Sequence, residues 1–442
     1  MQRQLPNVPL VALKKVANSL YFLPASLTAF SIALAVALLA LDKNFASLYP
    51  FTGLWWNDVD GAREFLSTSA SVSISVVSVS FSVVVVALTL ASNQFCPRVL
   101  RRFIEDRVNR LVFGVLIGNF AFALVALSAL GSKDEPPGLT LTGCFLFDLA
   151  STALFIYFIH HVAASLQVDS IVTELRTASV RRIEELKASR YQCMGAADTV
   201  PRIQGGFCPQ GKTGYVQAIQ MERLLEISDR LGQPFQLCCG LGDFVTPSTP
   251  TLVLFHPEPE DSVKKEIVDC FEVDYARLLE HDISYGIREI LDIALKAISP
   301  AINDPTTAVM CLQNLTAVYE ALALGGWPRT SLTGASGEGG IQVPNNTPED
   351  YLDLATDQLL YHSLGTPRVA QALSDFLQRL RCLDLGESWK NRVDEKIDAL
   401  NRAVVAEWES PVWKERLLRP QSSEFDREEK RVAERSVEYI SG

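Results

Sequence analysis

The chain has 442 residues, of which 48% are apolar, and a formal net charge of −11 at pH 7. Its length leaves room for two or three domains, and a mean hydropathy of +0.15 indicates a membrane portion beside a charged soluble portion. The acidic balance argues against nucleic acid as a partner, because phosphate binding needs a basic face.

An apolar run over residues 20–41 follows the basic residues Arg3, Lys14 and Lys15. A cleaved signal peptide would have a shorter apolar segment, and further uncharged segments follow this one. We therefore interpret the run as a first spanning helix.

The second apolar segment, residues 66–91, contains eight serines and lies in a stretch without charge between Glu64 and Arg98. Its alternating serines resemble a strand, but a lone strand in lipid would leave its backbone amides unpaired, so the segment predicts a spanning helix. At helical spacing four hydroxyls share one face, which we name the serine stripe and expect to face something other than lipid. The stripe consists of Ser71, Ser75, Ser78 and Ser82.

Two further apolar segments, residues 111–130 and 139–162, complete a predicted four-span transmembrane domain over residues 1–165. Eleven Lys and Arg residues lie near the N-terminus, after span two and after span four, against three in the two other loops. This positive-inside asymmetry predicts that both termini are cytoplasmic.

Polar residues within the third and fourth spans are candidates for function. Asn119 and Asp148 lie at similar depths, and an ionisable residue in a span usually faces a cavity, a pore or a partner. The two can hydrogen-bond to each other, and either they line a polar path with the serine stripe or they hold the four-helix bundle together. Gly114 and Gly118 form a GxxxG motif, which is typical of close helix packing.

The rest of the chain predicts a mixed cytoplasmic domain. Residues 166–200 form an amphipathic connecting helix, either an oligomer seam or a helix packed on the soluble domain. Residues 201–258 predict a small β-barrel or sandwich-like module, and residues 259–410 a helical module with a flexible Gly- and Ser-rich loop at 325–346. Residues 411–442 are a charged C-terminal tail.

Within the helical module the pattern is helical from 262 to 324. Three more helices are expected at about 348–364, 367–383 and 387–408.

One candidate nucleotide motif runs from Gly206 to Thr213 and matches the P-loop spacing in its letters. A P-loop needs a buried strand before it and a helix that starts at its Lys-Thr pair. Here the preceding residues are polar and contain a proline, and Gly214 to Val216 has the pattern of a strand. We therefore expect an ordinary loop and no nucleotide cofactor.

A polar motif lies within the predicted helices, between Asp282 and Ala308. Asp304 and Pro305 form an N-cap and first-turn pair, and Arg288 and Asp292 are spaced to form an ion pair. The alternative is a ligand or regulatory-ion site. Its candidate residues are Asp282, Arg288, Asp292, Asn303, Asp304 and Thr306.

The nine cysteines form no CxxC pair, and the five histidines have no metal-site spacing. These thiols are typical of a reducing cytoplasmic compartment. Without a nucleophile and base pair or another catalytic motif, we expect no metal, no cofactor and no enzymatic activity.

Three segments resemble a known family: LWWNDVDGAREFLSTSA, FSVVVVALTLASNQFCPRVLRRFIEDRV and DISYGIREILDIALKAISPAINDPTTA. They resemble a bacterial family of predicted membrane proteins known only as a domain of unknown function, over most of the chain. The resemblance implies a multi-pass bacterial inner-membrane protein and brings no activity, catalytic residue or cofactor.

Together these patterns predict a mainly α membrane protein. The leading hypothesis is a homo-oligomeric channel or transport-like protein with a path lined by the second span and a cytoplasmic regulatory domain. The alternative is a membrane-anchored sensor or scaffold without a conduction path. The expected partners are the lipid bilayer and further copies of the chain, with no nucleic acid, and the sequence does not specify a small-molecule or ion ligand.

Overall fold

The computed structural model describes most of the chain, with gaps. The described residues are 22–45, 59–94, 106–130, 136–187, 206–207, 213–247, 252–254, 260–275, 277, 282–325, 327, 331–333, 339–344, 347–383 and 385–418. Helices dominate, and the chain divides into two compact units between Ser170 and Ile171.

The first unit is a bundle of long helices. They are α1 (Phe22–Phe45), α2 (Val59–Gln94), α3 (Arg107–Ala129) and α4 (Gly138–Ser165). Each covers one of the predicted spans to within two residues and extends past it at one or both ends, because the polar residues of a helix's end turns fall outside the apolar segment. With 36 residues, α2 is about 54 Å long and exceeds the ~30 Å hydrocarbon core of a bilayer.

Helix α3 packs against the three other helices of this unit. Its GxxxG motif faces α1: a Cβ at Gly114 would lie 2.7 Å from Leu27 Cδ1, and one at Gly118 would lie 2.5 Å from the Ser31 hydroxyl. Only glycine permits this approach, so the motif has the close-packing role expected from the sequence.

Helix α4 is capped by a residue that is distant in the sequence. Asp42, near the end of α1, accepts hydrogen bonds from the backbone N–H groups of Leu139 and Thr140, both at 2.9 Å. It also accepts one from the Thr140 hydroxyl at 2.6 Å. These bonds satisfy amide donors that the first turn of a helix leaves unpaired, and they tie α1 to α4.

The second unit mixes helices and short strands. Its helices are α5 (Val168–Lys187), α6 (Met221–Leu231), α7 (Asp261–Val268), α8 (Ile283–Ala297), α9 (Pro305–Gly325), α10 (Pro348–Ser363), α11 (Pro367–Arg381), α12 (Glu387–Glu407) and α13 (Pro411–Leu418). Its strands are β1 (Gly206–Phe207), β2 (Gly214–Ile219), β3 (Phe235–Gln236), β4 (Phe244–Val245), β5 (Leu252–Leu254), β6 (Phe271–Asp274), β7 (Ser331–Thr333) and β8 (Gly340–Gln342).

The prediction of a small β-barrel or sandwich-like module is wrong. The described strands form three small sheets: β1 with β5, β4–β2–β6, and β3–β8–β7. Only the β3–β8 pair is parallel. Strands of two to six residues are too short to close on one another. The two three-stranded sheets contribute instead to a shared apolar core that includes Val216, Leu224, Phe235 and Ile267.

The prediction of a flexible loop at 325–346 is also wrong in part. Its residues supply the antiparallel hairpin of β7 and β8, and β8 pairs with β3. Leu332, Ile341 and Val343 are buried in the same apolar core. Its glycines serve close packing: a Cβ at Gly339 would lie 2.5 Å from the backbone N of Asp229.

The predicted helical stretch from 262 to 324 is interrupted. Strand β6 lies between α7 and α8 and pairs with β2, so the β-rich part draws on residues beyond its predicted limit of 258. A strand of four residues is too short to be recognised by its hydrophobic periodicity within a longer helical pattern.

The three later helices are confirmed within a few residues as α10, α11 and α12. A capping box starts α10, in which the side chains of Thr347 and Asp350 each accept a backbone N–H of the other residue. The start of the predicted tail forms α13, and residues 419–442 of that tail lie outside the described residues.

The connecting helix is α5, while residues 188–200 of its predicted range are not described. Its amphipathic face is buried within the single chain at Val172, Leu175, Ser179 and Ile183. This burial favours a helix packed on its own chain over an oligomer seam.

Among the described residues, five helices are long and apolar enough to cross a membrane. Four of them are α1 to α4, and the fifth is α9 of the second unit. The expected number of four spans therefore does not follow from helix length and composition alone.

Candidate functional site

The serine stripe faces away from the helices of its own chain. Ser71, Ser75, Ser78 and Ser82 are all exposed on α2. Each hydroxyl donates to the backbone carbonyl four residues earlier, at distances of 2.8 to 3.0 Å. This local bonding lowers the cost of placing a hydroxyl in apolar surroundings, and it leaves the acceptor lone pairs of each oxygen directed outward.

An open groove of about 490 Å³ runs along the outer side of α2. It is lined by the hydroxyl residues Ser67, Thr68, Ser71 and Ser75, by three valines of α2 and by Phe155 of α4. Two of the four stripe residues thus line a concave surface that is partly polar and open in the single chain.

The opposite face of α2 carries a second set of serines, which are not among the residues predicted from the sequence. Ser69, Ser73 and Ser80 are buried. Ser69 and Ser73 are one turn apart and lie on the side of Leu66 and Ala70, which are buried in the bundle. The apolar residues Leu66 and Ala70, at helical spacing from Ser69 and Ser73, could have indicated that these two serines face the bundle. The indication was weak because the eight serines of this segment lie on both sides of the helix.

Ser69 and Ser73 form a hydrogen-bonded group with the two polar residues predicted from α3 and α4. The Ser69 hydroxyl donates to Asp148 Oδ1 at 2.8 Å, and Asn119 Nδ2 donates to the same oxygen at 2.7 Å. Asn119 Nδ2 also donates to the Ser73 hydroxyl at 2.9 Å. We name these four residues the polar cluster. The expected bond between Asn119 and Asp148 is present, but its serine neighbours are not those of the stripe.

The polar cluster lies between two apolar clusters of the bundle. One contains Leu66, Phe122 and Leu141, and the other contains Ala87, Leu116 and Phe158. In each of α2, α3 and α4, the residues of the polar cluster lie in the sequence between a residue of the first apolar cluster and a residue of the second. The polar cluster is therefore confined to one level of the bundle.

Hydrogen-bond donors are scarce in the polar cluster. Asn119 is 1% exposed, yet its Oδ1 atom has no hydrogen-bond partner among the described residues. The same holds for the hydroxyl of buried Ser151, three residues after Asp148 on α4. Both hydrogen bonds to the Asp148 carboxylate from described residues end on Oδ1, and no described Lys or Arg forms an ion pair with it.

A second polar contact links α3 and α4 far from the polar cluster. Asp106 caps α3 by accepting the N–H of Val108 at 2.6 Å, and its other oxygen lies 2.9 Å from His161 Nε2. This contact lies near the basic end of the bundle, with Arg107 and Arg110 on the first turn of α3.

The candidate cytoplasmic residues form separate structural contacts rather than one site. Asp282 is the N-cap of α8, where it accepts hydrogen bonds from Arg277, Ser284 and the N–H of Tyr285. Asn303 and Asp304 follow the other end of α8, about 20 Å away along its axis.

The contacts at that second end are also local. Asp304 caps α9 by accepting the N–H of Thr306 at 3.1 Å and the hydroxyl of Thr307 at 2.6 Å. Asn303 has a φ of 50°, in the left-handed region, which turns the chain between α8 and α9. Arg288 and Asp292 form the expected pair at 3.0 Å. The contacts favour caps and an ion pair over a ligand site.

The P-loop letters do not lead into a helix. Gly211 and Lys212 lie outside the described residues, and Gly214–Ile219 is strand β2. The geometry that a P-loop requires after its lysine is therefore not formed.

Comparison with known proteins identifies a family of predicted membrane proteins. A family model described as "Predicted membrane protein (DUF2254)" matches residues 17–379. An uncharacterized protein of Mycobacterium bovis and one of Mycobacterium tuberculosis are each 27% identical over 311 residues, covering 67% of this chain. The chain spans 60% of the length of these relatives. No solved structure matches the chain significantly.

Proposed function

The chain belongs to the DUF2254 family of predicted membrane proteins, and from this premise we propose that it is a homo-oligomeric channel or transport-like protein of the bacterial inner membrane. In this proposal α1 to α4 span the bilayer, both termini are cytoplasmic and the second unit regulates the path. The protein acts without catalytic residues or a resident cofactor.

The packing of α9 supports four spans rather than five. Leu315, Val318 and Leu322 are buried, and α9 packs against α8 and α11 of the second unit. Its Tyr319 hydroxyl donates to the backbone carbonyl of Tyr351 in α10. The exposed positions of α9 include Thr306, Gln313 and Glu320, so the helix has no continuous apolar face for lipid.

One observation carries the proposal: the serine stripe lies outside the bundle of the single chain. Large apolar residues such as Phe30, Phe81 and Ile156 cover other outer surfaces of the bundle, as expected for contact with lipid. A continuous row of hydroxyls beside a groove is a surface suited to water or cations, because its outward oxygens accept hydrogen bonds. Copies assembled around α2 would enclose this surface as a path.

Ion flux into liposomes that contain the purified, assembled protein tests the proposal. Leucine at Ser75 and Ser78 should abolish flux while the oligomer, measured by cross-linking, stays intact. Ser128→Leu is the matched control, because Ser128 is an exposed α3 serine that also bonds to its own helix, at 2.8 Å. Absence of conductance in the assembled wild-type protein under voltage, tension and pH changes would refute a channel.

The second candidate is a membrane-anchored sensor or scaffold without a path, which the polar cluster favours. Its three hydrogen bonds join α2, α3 and α4 and supply a reason for polar residues in the spans other than conduction. In that case Asp148→Asn would reduce assembly, and the Ser75 and Ser78 substitutions would change neither assembly nor flux.

A further inference from the structure

We propose that the polar cluster, together with Ser151, reversibly binds a small monovalent cation such as Na⁺. The serines of the cluster lie on the buried face of α2 and the serine stripe lies on its exposed face, so this site is separate from the proposed path. The site binds its cation whether or not the assembled protein conducts.

The first observation is a set of oxygen atoms without hydrogen-bond donors. Asn119 Oδ1 and the Ser151 hydroxyl are buried and have no partner within the described part of the chain, and Asp148 Oδ2 accepts no hydrogen bond from it. Buried polar atoms are normally paired, so unpaired ones point to a ligand, either water or an ion. Each of the three oxygens has lone pairs that a cation can accept.

These oxygens belong to neighbouring groups. Asn119 Nδ2 lies 2.7 Å from Asp148 Oδ1, so Asn119 Oδ1, on the same planar amide, lies beside the carboxylate. Ser151 follows Asp148 by three residues on the same side of α4, where Cβ atoms are about 5–6 Å apart. The hydroxyls of Ser69 and Ser73 join this set from α2 through their bonds to Asp148 and Asn119. Three helices therefore bring oxygen ligands to one level of the bundle.

The charge of the site matches a monovalent cation. Asp148 is its single carboxylate, and no described Lys or Arg forms an ion pair with it. A water would leave this negative charge uncompensated in apolar surroundings, and a divalent ion would leave an excess positive charge. Among the described residues no group of three or more Cys, His, Asp or Glu could hold a metal ion, which also argues against a divalent site.

The ligand atoms favour a hard cation. Carboxylate, amide and hydroxyl oxygens suit hard cations, whereas thiolate and imidazole ligands suit transition metals. One sulfur is close, since Cys144 Sγ lies 3.4 Å from the Ser69 hydroxyl, but oxygens outnumber it. The sequence predicts no metal from its Cys and His spacing, and that prediction does not bear on a site made of oxygens.

The surroundings of the site strengthen cation binding. Apolar residues flank it in both directions along the bundle, with Leu66 and Phe122 on one side and Leu116 and Phe158 on the other. A charge pair interacts more strongly where water is excluded. Asp148 itself is half-buried, so the site is not sealed from the surface of the bundle and its cation can exchange.

Equilibrium binding of radioactive Na⁺ to the purified full-length protein in detergent tests the proposal. We expect saturable binding of a single Na⁺ per chain. Unlabelled Na⁺ and Li⁺ should displace it, whereas choline at the same ionic strength should not, because its quaternary ammonium group is too large for a site of this kind. The unfolding temperature in choline chloride reports whether each variant is folded.

Ser151→Ala is the decisive variant. The Ser151 hydroxyl has no hydrogen bond to a described residue, so a purely structural role predicts no change, whereas a ligand role predicts Na⁺ affinity weaker by on the order of tenfold or more. Ser80→Ala is the matched control and should leave the affinity unchanged. Ser80 is also a buried spanning serine, but its hydroxyl donates to the backbone carbonyl of Val76 at 2.8 Å.

Asp148→Asn is the second variant, since it keeps the shape of the side chain and removes its charge. It should abolish Na⁺ binding. If this variant does not fold, Ser151→Ala still decides, because that substitution breaks no hydrogen bond to the described part of the protein.

Three results would overturn the proposal. The first is absence of saturable Na⁺ binding by the folded wild-type protein. The second is an unchanged Na⁺ affinity in folded Ser151→Ala or Asp148→Asn protein, which would place the ion elsewhere. The third is displacement of Na⁺ by Ca²⁺ or Mg²⁺ at lower concentrations than by Na⁺ itself. Because the assay measures binding and not flux, failure of the channel proposal and failure of this one remain distinguishable.

Discussion

Replacing Asn119 by leucine removes the residue that joins all three helices of the polar cluster. Leucine has the same number of side-chain heavy atoms as asparagine and the same branching at Cγ, so the substitution deletes hydrogen bonds without opening a cavity. The losses are the 2.7 Å bond to Asp148 and the 2.9 Å bond to Ser73. Because Asn119 Oδ1 has no described partner, its removal adds no further loss.

The expected magnitude follows from these two bonds. A bond to a charged group contributes about 1.5–3 kcal/mol, and we take the lower end because Asp148 keeps its bond from Ser69. An interhelical bond between neutral groups in membranes averages about 0.6 kcal/mol. The free energy of unfolding should therefore fall by about 2 kcal/mol, roughly a 30-fold change in the ratio of folded to unfolded protein.

Titration of detergent-solubilised protein with a denaturing detergent, followed by circular dichroism, measures this change. Ser80→Ala is the control, because Ser80 is buried on α2 and its hydroxyl donates to the backbone carbonyl of Val76 in its own helix at 2.8 Å. The control should change stability by less than about 0.5 kcal/mol. If Asn119→Leu costs no more than Ser80→Ala, the polar cluster does not hold the helices together.

Three further outcomes follow from the structure. Gly118→Leu should separate α3 from α1 and lower the unfolding temperature by several degrees, since even a Cβ there would lie 2.5 Å from a neighbouring hydroxyl. Exposed Cys238 should react with a membrane-impermeant maleimide only from the cytoplasmic side, and faster as pH rises because partial burial raises its pKa. Buried Cys239, whose pKa burial raises to about 12, should not react. The bond from Thr307 lowers the pKa of Asp304, so its contribution to stability is present above the ordinary carboxyl pKa and is lost as pH falls through the lowered value.

Controls for these outcomes are available within the chain. A Cβ at Gly61 has no atom within 4 Å, so Gly61→Leu should leave the unfolding temperature unchanged. Asp304→Asn retains an N-cap oxygen and should keep most of the stability while removing its pH dependence, whereas Asp304→Ala should cost about 1 kcal/mol. Labelling of Cys238 in sealed, inverted vesicles and its absence in intact cells would establish the orientation, and the opposite result would contradict it.

Sequence alone was sufficient where one local rule dominates. Apolar segments long enough to cross a bilayer predicted α1 to α4, because a single segment in lipid satisfies its own backbone amides only as a helix. Capping chemistry likewise predicted Asp304 at the start of α9, and helical periodicity predicted α10 to α12. The bond between Asn119 and Asp148 was within reach because both residues stand out in apolar spans at similar depths.

Sequence was insufficient where a residue's role depends on distant partners. Strand β6 and the β7–β8 hairpin are short, and β-rich pairing across a long sequence separation turns a Gly- and Ser-rich segment into part of a core. Asp42 gave no sign that it caps a helix 97 residues later. Such contacts depend on which elements become neighbours, which local patterns do not encode.

The serines of α2 show this division most clearly. The sequence by itself determined that residues 66–91 form an uncharged helix long enough to cross a bilayer, with hydroxyls on more than one face. Only the tertiary structure decided that Ser69 and Ser73 turn inward to the polar cluster, while the serine stripe turns outward. The reason is that serines lie on both faces of α2, so its sequence does not determine which face is buried. The buried face is the one against which α3 and α4 place Asn119 and Asp148.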